Sequence, residues 1–320
     1  MASPLTLQIK KQHNKVKVIV IASNKTAHVF QGSPCVDELV VFHPEKSTVL
    51  AFCKLFFHLR NFDIDVLLAT QPSNTVSQSL ITALSGAKYA LKHAKDYSND
   101  RFRDYSFLYN RTVSDDRMRH RVELNLDLLR VIGLTIPDGI ASPQFFVSKD
   151  VQLKIDNWIA RQGLNKHKIV AIHPGGLRAN KHWPIERYIK VANVLLDNGC
   201  MIILVGGKNE EYQCLKIQQD LGKRLLFNVA GKLALAETAA LLKRCACLIS
   251  NDTGVMHIAS AVDIPIIAIF GPTDPEHIGP YSSHAIALKK GYDVNLISVD
   301  DVLHAFNNIS LSFDNPQLPK

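Results

Sequence analysis

The chain contains no apolar run approaching the roughly 20 residues that a helix needs to cross a bilayer. Its N-terminus lacks the basic-then-apolar order of a secretion signal, so a cytoplasmic protein is expected. The six cysteines, at positions 35, 53, 200, 214, 245 and 247, include no CxxC pair. Scattered among apolar residues, they read as buried, reduced thiols rather than as a disulfide framework or a metal site. The glycine pairs Gly175-Gly176 and Gly206-Gly207 do not form GxGxxG, which weakens a dehydrogenase reading. Aromatic residues make up only 8%, with two tryptophans, and no strand is studded with them. Nucleic acid is therefore not an expected partner, despite a net charge of +8. That charge is spread over both halves, apart from one knot of Arg117, Arg119, His120 and Arg121 near Arg101, Arg103 and Arg111. The knot suits either a solvated loop and helix start or a site for an anionic acceptor. There is no internal repeat and no low-complexity segment.

What the chain has is alternation of strand and helix. At 320 residues and 47% hydrophobic content it suits two domains, each with its own core. In the first half, Ser3-Pro4 opens a short helix. Strands follow at 17–22, 39–42 and 65–69, with another at 105–109, and helices over 48–58, 73–84 and 121–132. Residues 134–167 carry Pro and Gly early and connect to a second alternating region starting at Lys168. There the apolar runs IVAI, MIILV, CLIS and IIAIF are short and without period-two alternation, as in parallel strands covered on both faces. The expected division is 1–145, 146–307 and a loose tail over 308–320. The fold class is α/β with parallel sheets.

The stretch over 247–275, CLISNDTGVMHIASAVDIPIIAIFGPTDP, holds strand, turn, helix, strand and loop in under thirty residues. Asp252 is expected to cap a helix opening at Thr253 and Gly254. A strand ending in a glycine turn at a helix N-terminus leaves N–H groups and the positive dipole end facing outward, which suits a phosphate. Thr253 and Gly254 would offer amides there, and His257 a side-chain donor one turn on. A βαβ unit whose Asp and Gly only cap and turn would have the same spacing. A second constellation follows the first strand of the second region: His173-Pro174-Gly175-Gly176, then Lys181-His182-Trp183-Pro184. Loops after parallel strands are where ligands of open α/β sheets bind. Lys181 could neutralise a diphosphate, and Trp183-Pro184 would fix the next helix. Asp63-Ile64-Asp65 has the form of a DxD metal motif but precedes what reads as a buried strand, so no metal site is assigned.

The segment NDTGVMHIASAVDIPIIAIFGPTDP resembles the signature of glycosyltransferase family 9, the lipopolysaccharide heptosyltransferases. HPGG with KHWP, and VGGKNEEY over 205–212, resemble two further family segments, and HRVELNLDLLRVIGL and SPCVDELVVF match more loosely. The resemblance implies a GT-B arrangement, two Rossmann-like domains with parallel sheets facing a central cleft. It implies metal-independent, cofactor-free, inverting transfer of a heptose from ADP-heptose to a lipopolysaccharide core or another lipid-linked saccharide, with a peripheral approach to the inner membrane. Lys181, Asp252, Thr253, Gly254, His257, Gly175, Gly176 and Glu211 would bind the nucleotide-sugar donor. Asp252 would hold sugar hydroxyls, and an acidic residue at Glu210 or Glu211 would meet the nucleoside. The family opens with a strand and a Gly-Asp loop carrying the general base, and Ser3-Pro4-Leu5 matches the helix after that loop. The N-terminal sheet is thus expected to lack its first strand, and the catalytic base is unassigned. Either the coding start lies further upstream, the favoured reading, or the protein is an inactive nucleotide-sugar-binding relative. A GT-B sugar epimerase is the remaining alternative. Between Tyr281 and Leu296 the chain has only SSHAIALKKGYD where many members carry a cysteine-containing insertion, which leaves the identity of the sugar open.

Overall fold

The structure, a computed structural model, describes residues 1–43, 49–70, 76–94, 106–114, 118–136, 142–176, 178–222 and 225–314. It divides into two compact units, Met1–Pro143 and Gln144–Lys320. Each is α/β with parallel strands, as the alternation predicts.

The first unit runs α1 (Ser3–Gln12), β1 (Ile19–Ser23), β2 (Glu38–Phe42), α2 (Val49–Arg60), β3 (Val66–Ala69), α3 (Val76–Ser85), β4 (Tyr89–Ala94), β5 (Arg111–Ser114) and α4 (Arg121–Val131). Pro4 sits in the first turn of α1, where a missing N–H costs no hydrogen bond, and Lys10 and Lys11 face the negative end of the dipole. The strands fall into two sheets, β1-β2 and β3-β4-β5. Among the described residues no strand joins β1 to β3, in keeping with an N-terminal sheet without its first strand. Helices bridge the division instead. α2 packs on α3, and α1 on α4. Ile81 of α3 joins Ile19 and Ile21 of β1 around Val40, Phe42, Leu55 and Leu59.

The second unit runs α5 (Lys149–Arg161), β6 (Ile169–His173), α6 (Ile185–Asp197), β7 (Met201–Leu204), α7 (Glu211–Leu221), β8 (Leu226–Asn228) and α8 (Leu235–Leu242), then β9 (Cys247–Asn251), α9 (Gly254–Ala261), β10 (Ile266–Phe270), α10 (Pro275–Ile278), β11 (Ala285–Lys289) and α11 (Val299–Asp314). Its six parallel strands lie in the order β11-β10-β9-β6-β7-β8. The chain winds outward from β6 in one direction, then returns to β9 and winds in the other, so β6 and β9 flank the switch point where open α/β sheets bind ligands. Every residue of β6, β7, β9 and β10 is buried, which explains the absence of polar alternation in these runs. Alternate residues Val170, Ile172, Ile202, Leu204, Ile249, Ile267 and Ile269 meet α6, α7 and α11 in one continuous core. On the other side α5 packs against α8, and α8 against α9.

Several expectations are corrected. Over the described part of the run expected as a strand, 106–109, a 3₁₀ turn covers Ser106–Leu108 and the strand follows it. β4 and β11 are two further strands that the sequence reading lacks; β4 is interrupted by Lys92 and His93, which are nevertheless fully buried. The C-terminal helix continues to Asp314, so the tail does not begin at 308. The thiols are not uniformly buried. Cys200, Cys214, Cys245 and Cys247 are, but Cys35 is half-buried and Cys53 exposed. The strand after Asp63 and Asp65 is half-covered, with Val66 40% exposed. Both aspartates face Lys88, at 3.6 and 2.8 Å.

Candidate functional site at the switch point

The predicted residues other than Glu211, which opens α7 after β7, lie at the C-terminal ends of β6 and β9. The loop after β6 carries Gly175, Gly176 and Lys181, and Lys181 closes a 3₁₀ turn over Ala179–Lys181. Its Nζ reaches Asp252 Oδ2 at 2.5 Å across 71 residues of sequence. Both side chains are well covered, at 15% and 6% exposure. Thr273, in the loop after β10, donates to the same Asp252 oxygen at 2.7 Å.

This corrects the expectation that Asp252 caps α9. The N-cap is Thr253, in an extended conformation and with no side-chain cap hydrogen bond. Asp252 is drawn away because a cation and a hydroxyl outcompete a local N–H for its carboxylate. The first amides of α9 therefore lack a side-chain acceptor, and Gly254 is exposed with open space where a Cβ would stand. Those amides and the dipole form a positive terminus beside Lys181. Thr253 Oγ1 pairs with Ser250 Oγ at 3.1 Å. His257 is half-buried on the next turn of α9.

Asn251, the last residue of β9, is the residue that joins the two loops. Fully buried, it donates from Nδ2 to the carbonyls of Pro174 and Gly175, each at 3.0 Å. Its Oδ1 accepts from Trp183 N at 3.2 Å and Tyr188 Oη at 2.9 Å. Trp183, itself buried, donates from Nε1 to Ile297 O at 2.9 Å and stacks edge-on with Tyr188. α6 starts directly after Trp183-Pro184, as read from the sequence.

The glycines make room for acids. A Cβ on Gly175 would lie 2.0 Å from Glu210 Cγ, so the side chain of Glu210 passes directly over it. Glu210 Oε2 accepts from Gly207 N at 2.8 Å. Glu211 is exposed beside Gly231, whose φ of +71 favours glycine and whose Cβ would collide with the Glu211 carboxylate. Gly176 packs against Thr253 and His182, and His182 Nε2 lies 2.7 Å from Gly176 O. His173, at the end of β6, is buried, and its Nδ1 lies 2.9 Å from Val205 O. Burial holds its pKa below the usual histidine value.

The described residues of the arginine knot do not form one site. Arg119 is paired with Asp127 at 2.6 Å and Glu123 at 3.4 Å, and His120 caps α4 by accepting from Val122 N. Arg111 and Arg121 are exposed, while Arg101, Arg103 and Arg117 lie outside the described residues.

A doubly wound parallel sheet with a cation and a helix terminus at its switch point belongs to the class of open α/β folds that take up ligands at that point. Residues 52–295 match the model of glycosyltransferase family 9 (heptosyltransferase), and the chain belongs to that family. It is 35% identical over 130 residues to lipooligosaccharide heptosyltransferase 2 of Haemophilus influenzae, covering 39% of this chain and 38% of that protein. Other heptosyltransferase 2 relatives are likewise matched over less than half their length. The fold matches the crystal structure of a family 9 glycosyltransferase from Veillonella parvula with a TM-score of 0.84 and 21% identity, covering 97% of this chain and 93% of that one. It also matches E. coli ADP-heptose lps heptosyltransferase II with a TM-score of 0.79 and 22% identity, over 98% and 95% of the two chains.

Proposed function

We propose that this protein is an inverting glycosyltransferase that takes a heptose from ADP-heptose and transfers it to a lipopolysaccharide core or a similar lipid-linked saccharide. The observation that carries this reading is the convergence of Lys181 and the uncapped N-terminus of α9 on Asp252. A diphosphate placed there would meet a cation on one side and backbone donors on the other, and both hold the charge that grows as the sugar–phosphate bond breaks. Lys181 and the dipole supply in this reading what a divalent metal supplies elsewhere. The acceptor oxygen attacks the anomeric carbon as the diphosphate leaves, and the acceptor proton passes to a base. No residue of this site is assigned as that base, because Asp252 is already engaged by Lys181 and Thr273. In this reading Asp252 meets sugar hydroxyls, His257 adds a donor to the diphosphate, and Glu211 meets the nucleoside. Among the described residues no helix is long and apolar enough to cross a membrane, so a lipid-linked acceptor would be met at the bilayer surface.

Calorimetry with ADP and ADP-heptose tests the donor half. Binding that weakens by about tenfold or more in Lys181→Ala is expected from loss of a charge-assisted contact. Indifference of that variant to both ligands, or no binding to the folded wild type, sinks the reading. Incubation with ADP-heptose and a heptose-deficient core acceptor tests transfer. Retained binding without product would favour the inactive relative, and an altered sugar in the absence of acceptor would favour the epimerase.

A further inference from the structure

We infer that Thr273 is a positioning residue that fixes the Asp252 carboxylate and, through it, the enzyme's grip on the sugar of its donor. This rests on the donor-site reading above. Thr273 follows β10, while Asp252 follows β9 and Lys181 lies between β6 and α6. Three loops from adjacent strands therefore meet at one carboxylate. Both contacts fall on the same oxygen: Lys181 Nζ at 2.5 Å and Thr273 Oγ1 at 2.7 Å, both to Oδ2. Among the described residues no donor reaches Oδ1, so the carboxylate is held by one oxygen and presents the other.

The two tethers behave differently when a diphosphate binds. Lys181 is long and flexible, and an anion with more charge than a carboxylate draws it off Oδ2. Asp252, with a side chain only 6% exposed, would then be left with an unbalanced oxygen and freedom to turn. The Thr273 hydroxyl is short and branched at Cβ, so it keeps its place and its hydrogen bond. Thr273 thus holds Oδ1 toward the sugar at the stage when Lys181 is committed to the diphosphate. It contributes to binding of the sugar and not to binding of the nucleotide.

Calorimetry with ADP and with ADP-heptose, run side by side on wild type, Thr273→Val and Thr273→Ser, tests this. Thr273→Val keeps the shape and removes the donor. It is expected to bind ADP as wild type does and ADP-heptose about tenfold more weakly, with Thr273→Ser restoring the wild-type ratio. Equal losses for the two ligands, or none, overturn the inference while leaving the donor site standing. A wild type that binds neither ligand overturns the donor site itself, and this inference with it. Should Thr273→Val not fold, Thr273→Ala read by the same ratio serves the same purpose. A steady-state comparison adds a second readout, in which KM for ADP-heptose rises while product inhibition by ADP stays constant.

Discussion

The two units carry out one plan with different completeness. In the second unit the first strand, β6, pairs on both sides, with β7 and β9. In the first unit, among the described residues, β1 and β3 each pair on one side, with β2 and β4, and helix contacts carry the structure across the division. Burial follows the pairing. β6 and β9 are buried at every residue, whereas β1 is mostly half-covered and β3 leaves Val66 40% exposed. The candidate site needs two neighbouring strand ends held in register. Only where β6 lies beside β9 can Asn251 reach from one strand to the loop of the other, and only there are loops from three adjacent strands brought to a single carboxylate.

The largest expected effect breaks that junction. Asn251→Ala would strand two carbonyls, the backbone N–H of Trp183 and a tyrosine hydroxyl in a buried place, at a cost of roughly 3–5 kcal/mol. Urea unfolding of the purified variant measures it, and a loss below about 1 kcal/mol would mean that the loop is held by other contacts. The next compares the sheets directly. Truncating the fully buried Ile172 to Ala should cost about 3 kcal/mol, and the half-covered Leu68 less than half as much. Equal losses would show that the first unit is as well packed as the second.

A pH series sharpens the contrast further. His173 is buried with its pKa held below 6.5, so the folded state resists a proton that the unfolded chain accepts. Stability from this residue is complete above pH 6.5 and declines as pH falls below it. His173→Asn should flatten that part of the melting-temperature profile, and an unchanged profile would assign the acid sensitivity elsewhere. The smallest effect lies at the edge. Asp301 accepts from Ser298 N and Oγ at the start of α11 and pairs with Lys290, whose contact is first among the causes that bring its pKa down to about 2. Asp301→Asn should cost a few tenths to 1 kcal/mol at neutral pH. The difference should vanish as acid brings the wild type through its own titration near pH 2. A larger loss would show that the rim of the second unit matters as much as its centre.

Much of this was legible in the sequence because the site is built from contiguous turns. Lys181 sits in one signature, and Asp252, Thr253, Gly254 and His257 sit in another. The buried strands could be read from unbroken apolar runs. What could not be read depends on partners far along the chain. Nothing near Asn251 reveals that its acceptor serves Trp183 and Tyr188, 68 and 63 residues away. Asp252 has the local pattern of a cap, and only the fold brings Lys181 to it. Thr273 lies in a quoted motif, but its role depends on β10 lying beside β9. β4 was hidden because YALKHA buries a lysine and a histidine, against the usual preference of those residues for the surface.

The four hydrogen bonds of Asn251 have a consequence for recognition. They hold both ends of the Lys181 loop, at Pro174-Gly175 and at Trp183, in the arrangement that a ligand would otherwise have to impose. Conformational entropy for these anchor points is surrendered during folding, once, and not again at each turnover. In the proposed site, an anion arriving at β6 and β9 would need only to redirect one lysine side chain.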